Sequence, residues 1–358
     1  MSAPSIVYVL LGENPAPTLY HFALEAQVRS PKSEVILITD HPASHYKFPG
    51  TVINYVRDFE SRSLALLYGK FRERIELSGG YWMYTLERLF ALTQLSKCEI
   101  NGPIIHLESD VLLSTTPEHV EKLGQVCKKT SIPRYSSDMG IASFLYSPSI
   151  HQLISDLNSL SMILFEYMSF NRNFLTDMQL LGHGLNTSLL QELPTLPNDA
   201  WILDNDERGR KLVFDGLAYG QYLFGQDPLH QEGMRISGHQ NEYFREEIKN
   251  FRWSLRPHQN SLFTIGYEWD HSRIEIANIH IHSKEIVEGP STNSPRWLRV
   301  MDEANGLCVR AVSGPFPDII HSRKVKFSTQ LRLSRQNGKI SYLLTVIKHF
   351  RAKKRLQR

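Results

Sequence analysis

The sequence predicts an α/β fold, a mostly parallel central sheet flanked by helices, followed by a C-terminal helical basic tail. Three observations carry this expectation. SIVYVLL at 5–11 and EVILITD at 34–40 are continuously apolar and β-branched, the pattern of strands buried on both faces of a parallel sheet. Between them TLYHFALEAQVRS sets Leu19, Phe22, Ala23 and Ala26 at helical spacing. At the far end, residues 321–358 hold 12 of the 40 Lys and Arg residues and none of the 37 Asp and Glu.

The remaining elements follow in order. TVINYV at 51–56 reads as a third strand. YWMYTLERLFALTQLSK at 81–97 reads as an amphipathic helix with Leu86, Leu89, Phe90 and Thr93 on one face. After the NGP break, PIIHLESDVLL at 103–113 reads as one further strand. Such a succession of βαβ units places the ligand crevice at the carboxyl ends of the strands. IASFLYSP at 141–148 is a strand pattern and 149–168 a helix pattern. TDMQLLGHGL at 176–185 opens a helix with Thr176 as N-cap and Gly182 near its end. Residues 205–245, rich in Gly, Asp and polar aromatics, read as a loop-rich functional region. RIEIANIHIHSKE at 273–285 alternates strictly, and GPSTNSP at 289–295 marks a boundary.

Composition narrows the function. The apolar run from Ile6 to Leu11 is far short of the roughly 20 residues a membrane span needs. MSAPSIVYVLLGEN has no basic n-region, so a cleaved secretory leader is not expected. Three cysteines without a CxxC pair indicate neither a disulfide framework nor a thiolate zinc site, which fits a reducing, cytoplasmic setting. Outside the tail, 28 basic side chains face 37 acidic ones. A basic segment on an acidic body is a statement about anionic partners rather than about fold. The fingerprints GxGxxG after the first strand, GxxxxGK[ST], GxSxG and HExxH are all missing.

Two constellations stand out. Glu108 and Asp110, two residues apart at the end of a strand pattern, project to one face and present paired carboxylates to the crevice. Hard oxygen ligands of this kind suit Mg²⁺ or Mn²⁺. A pair of acids capping a turn explains them equally. In NIHIHSK, a strand would set Asn278, His280, His282 and Lys284 on one face, with Ile279 and Ile281 facing the core. Imidazoles can complete a carboxylate metal site and a lysine can neutralise phosphate. The alternative is the solvated face of an edge strand.

Together these features resemble the GT-A glycosyltransferases, a Rossmann-like fold that uses nucleotide-diphosphate sugars. The resemblance spans residues 5–285. It is carried by LERLFALTQL with IIHLESDVLL, by VFDGLAYGQYLFGQDP at 213–228 and by NIHIHSK. The acidic triplet departs from the family in having Glu108 where aspartate is commoner. The resemblance implies a catalytic domain at 1–288, with a nucleotide-binding half at 1–115 and an acceptor and sugar half at 116–288. Residues 289–358 are then a C-terminal extension bearing a basic amphipathic helix. It further implies that Asp110 ligates Mn²⁺ or Mg²⁺, with Glu108 on the metal or the ribose. His280 or His282 is then the late metal ligand and Lys284 holds the diphosphate. Arg88 is aimed at the donor by the same analogy, against the alternative of a surface helix charge. Asp40 meets the base, against that of a strand-end turn cap.

Asp177 and Asp215 are the candidate catalytic carboxylates, each at an element start. Asp177 can equally stabilise its helix N-terminus, and Asp215 can be a turn residue. Gly216, Gly220 and Gln221 would allow close approach to the donor sugar. The implied activity is a hexosyltransferase-type transfer from a UDP-sugar to a saccharide or glycolipid acceptor, as in polysaccharide biosynthesis. In the tail, Ile340, Leu343, Leu344 and Ile347 form an apolar stripe followed by six Lys or Arg residues. Residues 338–358 therefore suit an anionic membrane at its cytoplasmic face, or pack back on the body. Rival readings are a sugar-phosphate nucleotidyltransferase, a mononuclear metal hydrolase or oxygenase, and a nucleic-acid-binding protein led by the tail. An acidic body with charge confined to one end makes nucleic acid an unexpected partner.

Overall fold

The computed structural model describes residues 3–12, 18–41, 48–56, 69, 81–100, 102–115, 117–170, 175–202, 211–220, 251–257, 263–281, 298–302 and 307–311. Gln221, His282, Lys284 and the tail helix at 338–358 lie outside them.

The first half is the expected α/β alternation: β1 (Ser5–Leu10), α1 (Thr18–Arg29), β2 (Val35–Thr39), β3 (Thr51–Asn54) and α2 (Tyr81–Ala91). Then come β4 (Ile104–Leu107), β5 (Val111–Leu113), α3 (Pro117–Val126), β6 (Ser131–Ser136), β7 (Met139–Gly140) and β8 (Phe144–Ser147). The long α4 (Ile150–Phe170), α5 (Asp177–Asn186) and β9 (Gln191–Leu193) complete an eight-stranded sheet ordered β3-β2-β1-β4-β8-β6-β7, with β9 beside β6. The pairs β3-β2, β2-β1, β1-β4 and β6-β9 are parallel, and β8 runs antiparallel between β4 and β6.

Strand β1 explains why its sequence is apolar throughout. Ile6, Tyr8 and Leu10 enter one core with α1, while Val7 and Val9 enter the other with α2, α4 and α5. Burying one such side chain stabilises by roughly 1.5–3 kcal/mol, so neither face tolerates a polar residue. The first core extends onto a second sheet, β10 (Trp201–Ile202), β11 (Lys211–Val213), β12 (Arg252–Pro257), β13 (Phe263–Trp269) and β14 (Ser272–Ile276), in the order β10-β11-β14-β13-β12. β15 (Asn278–His280) pairs with β5, and β16 (Leu298–Asp302) with β17 (Leu307–Ala311). No described helix is long and apolar enough to cross a membrane.

Four expectations are corrected. The run 103–113 is two strands, because Glu108–Asp110 turns the chain and the Val111 N–H donates to the Glu108 carbonyl at 3.0 Å. The run 273–285 is divided as well, since β14 belongs to the second sheet and β15 to the β5 ribbon. The helix from 81 becomes 3₁₀ over Leu92–Lys97. Gly182 sits inside α5 rather than near its end, at a point where an added Cβ would lie 2.1 Å from the Asp138 carbonyl oxygen.

Candidate metal centre

The acidic pair reaches one place through a turn rather than through strand alternation. Glu108 follows β4, its N–H donating to the Ser143 carbonyl at 3.4 Å, and Asp110 precedes β5. β15 runs antiparallel to β5 with His280 opposite Val111, and the Ile281 N–H donates to the Asp110 carbonyl at 2.9 Å. The histidine is thereby delivered beside the carboxylates from some 170 residues away in sequence. His280 Nε2 lies 3.2 Å from Asp110 Oδ1 and 3.5 Å from Glu108 Oε2. One ligand atom from each of the three residues falls within 4.8 Å of the others, so the group can hold a metal ion. Asn278 and His280 are buried, which overturns the solvated-edge alternative for this strand.

Arg88 and Asp177 complete the cluster. Arg88 Nη2 donates to Glu108 Oε1 at 2.5 Å and stands 3.7 Å from Asp177 Oδ2. It is a bridge between two carboxylates, not a free surface charge. Asp177 opens α5 behind a capping box in which Thr176 accepts from the Gln179 N–H and the Gln179 side chain accepts from the Thr176 N–H. Burial raises the Asp177 carboxyl; Arg88, the Met178 N–H and the Thr85 hydroxyl pull against that rise while Glu108 adds to it. Burial alone would lower the His280 imidazole, but Asp110, Glu108 and Asp215 outweigh it and hold it up at about 8. Among the described residues, three carboxylates stand against one guanidinium and one imidazole, largely withdrawn from water, a setting that favours a cation.

Asp215 is fully buried. Its carboxylate accepts the N–H groups of Tyr219, Gly220 and His280 at 3.0, 2.9 and 2.9 Å. Burial raises it to about 6, opposed by those N–H groups and by the His280 charge. Both oxygens of this candidate catalytic carboxylate thus accept main-chain hydrogen bonds. The two glycines pack closely on the main chain: a Cβ at Gly216 would stand 2.8 Å from the Arg134 carbonyl oxygen, and one at Gly220 1.9 Å from that of His280. Asp40, at the end of β2, accepts the Gly12 N–H, just beyond β1, at 3.0 and 3.2 Å. Gly12 has φ 79°, and the Tyr84 ring takes the space of its missing side chain.

Sequence reasoning missed Thr85 and Ser143, and named Asn278 only as a neighbour of His280 on one strand face. Thr85 shares a helix face with Arg88, three residues on, and this spacing was a usable signal. Asn278 and Ser143 act through the main chain of Asp215, which no local pattern reveals.

No protein-family model matches the chain, and no curated protein does. Solved structures show partial likeness. The apo form of mouse xyloside xylosyltransferase 1 superposes with a TM-score of 0.34 at 13% identity, over 53% of this chain and 85% of that one. The PaToxG glycosyltransferase gives 0.34 at 12%, over 52% and 69%. The glycosyltransferase GlyE of Streptococcus pneumoniae TIGR4 gives 0.35 at 10%, over 54% of this chain and 45% of its own length.

Proposed function

We propose that the chain is a divalent-metal-dependent glycosyltransferase with a GT-A catalytic domain at 1–288, moving a sugar from a UDP-sugar to a saccharide or glycolipid acceptor. The observation that carries this reading is the meeting of Glu108, Asp110 and His280 beside the carboxyl ends of the parallel strands, the crevice where open α/β sheets bind ligands. Two carboxylate oxygens and one imidazole nitrogen are a donor set suited to Mn²⁺, with Mg²⁺ next. When bound, the ion supplies positive charge to a diphosphate leaving group.

The chain's own residues do the rest. Arg88 holds Glu108 toward the site and keeps Asp177 within reach. Asp177, raised by burial, is the carboxylate suited to accept a proton from an acceptor hydroxyl or to orient the sugar. His282 and Lys284 follow His280 closely in sequence, and Lys284 is proposed to hold the diphosphate as a point charge. The basic segment supports docking of 338–358 on an anionic membrane, at its cytoplasmic face, beside lipid-linked acceptors.

Donor hydrolysis and transfer assays with a panel of nucleotide sugars and Mn²⁺ test the reading. Asp110→Ala is expected to lose more than about 100-fold in rate, on the order of 3 kcal/mol of barrier, while its melting midpoint stays at the wild-type value. Full activity of this variant with saturating metal would overturn the assignment.

A further inference from the structure

We infer that Asp215 is a positioning residue whose carboxylate sets the stance of His280 toward Glu108 and Asp110; this rests on the metal-centre reading above. The argument begins with the chain of hydrogen bonds that joins the ligand-bearing segments. The Glu108 N–H donates to the Ser143 carbonyl, and the Ser143 hydroxyl donates to the Asp215 carbonyl at 3.3 Å. The Asp215 N–H donates to Asn278 Oδ1 at 3.2 Å, and Asp215 Oδ2 accepts the His280 N–H at 2.9 Å. The Ile281 N–H then returns to the Asp110 carbonyl at 2.9 Å. The circuit starts on the first acidic residue, passes through Asp215 and ends on the second.

A carboxylate is the group this position needs. Three N–H donors converge on it, one on Oδ1 and two on Oδ2. A carboxamide offers one oxygen only, so in either orientation its NH₂ meets at least one backbone N–H, and a buried donor without an acceptor is costly. The surrounding loop depends on these bonds. Leu217 has φ 85°, a left-handed conformation that a leucine adopts at a cost of about 1–3 kcal/mol and keeps only where neighbours over-determine it. The bonds from Tyr219 and Gly220 close the loop just after Leu217. Beyond them the Tyr219 hydroxyl is tied to Tyr267 and to the Thr195 carbonyl. Gly220 packs so closely on the His280 carbonyl that any side chain there would push β15 away. His280 is thus gripped at its N–H by Asp215 and at its C=O by Gly220.

Partners of metal ligands typically contribute 10–100-fold to metal affinity. Mn²⁺ titration of the full chain, with free ion followed by electron paramagnetic resonance, reads this directly beside the thermal midpoint. Asp215→Asn, folded at the assay temperature, is expected to bind Mn²⁺ about 10–100-fold more weakly than wild type. A Kd within twofold of wild type, whatever the change in midpoint, overturns the inference. Should Asp215→Asn not fold, Asp215→Glu decides, since it keeps the charge but displaces the carboxylate from the three N–H groups. A weaker Kd there supports the inference and an unchanged Kd overturns it. Wild type that binds no Mn²⁺ overturns the metal reading itself, whereas binding by wild type and Asp215→Asn alike overturns only the role of Asp215.

Discussion

Two clusters among the described residues are built from the same side-chain types and differ in how their charges are balanced. In the first, Arg88 and His280 face Glu108, Asp110 and Asp177 at 2.5–3.7 Å. In the second, Glu275 of β14 lies between Arg273 Nη2 at 3.1 Å and His119 Nδ1 at 3.1 Å, with Thr115 and Thr264 hydroxyls 3.2 Å from His119 and Arg273. The second ties α3 to the five-stranded sheet through one carboxylate that two basic groups share. Among the described residues, the first sets three carboxylates against two basic groups. A charge balance that favours a cation is what the proposed metal site adds to such a clamp.

The largest effect that would sharpen this contrast is in stability. Glu275→Ala leaves Arg273 and His119 without their shared partner, and breaking such a buried pair costs about 3–5 kcal/mol. Urea unfolding measures it, and Mn²⁺ affinity should stay at the wild-type value. A large loss of affinity in this variant would break the division into clamp and site.

A third buried histidine extends the contrast to a smaller effect. Among the described residues, none acidic stands beside His106 of β4 as Asp110 and Glu108 stand beside His280. Its Nδ1–H donates to the Val7 carbonyl at 3.0 Å, and burial, aided by the Arg88 charge, lowers it to about 3 against an ordinary 6.5. Protons therefore bind the unfolded chain first. Its contribution to stability is complete above pH 6.5 and is lost as the pH falls toward 3, by about 1.4 kcal/mol per unit. His106→Phe should flatten that limb of the stability profile, measured by urea unfolding between pH 4 and 7. An unchanged acid limb would contradict the assigned neutral state.

The same particulars show what could be read in the sequence. Strands β1 and β2 were legible because burial on both faces leaves continuous apolar runs. The capping box of α5 was half legible, through Thr176, since it involves four adjacent residues. Glu108 and Asp110 were identified as a pair, and they do stand together, but through a turn rather than through strand alternation. The turn between them exists because Val111–Leu113 pairs with Asn278–His280, and nothing local to 103–113 encodes that partner. Arg88 was named for the donor, with a surface helix charge as the alternative, and its two carboxylate partners Glu108 and Asp177 could not be read from spacing. Asp215 was named as a candidate catalytic carboxylate, with a turn residue as the alternative. Its function in the fold depends on three N–H groups, one of them 65 residues away, and such convergence leaves no trace in spacing.

A thermal-shift panel of UDP, GDP and CMP with and without Mn²⁺ tests the central claim most directly. The account predicts that UDP with Mn²⁺ raises the midpoint, corresponding to about 2.7 kcal/mol at 100 times Kd, and that neither omitting the ion nor using Asp110→Ala preserves the shift. A nucleotide shift that is identical without metal, or no shift from any of the three, would contradict it.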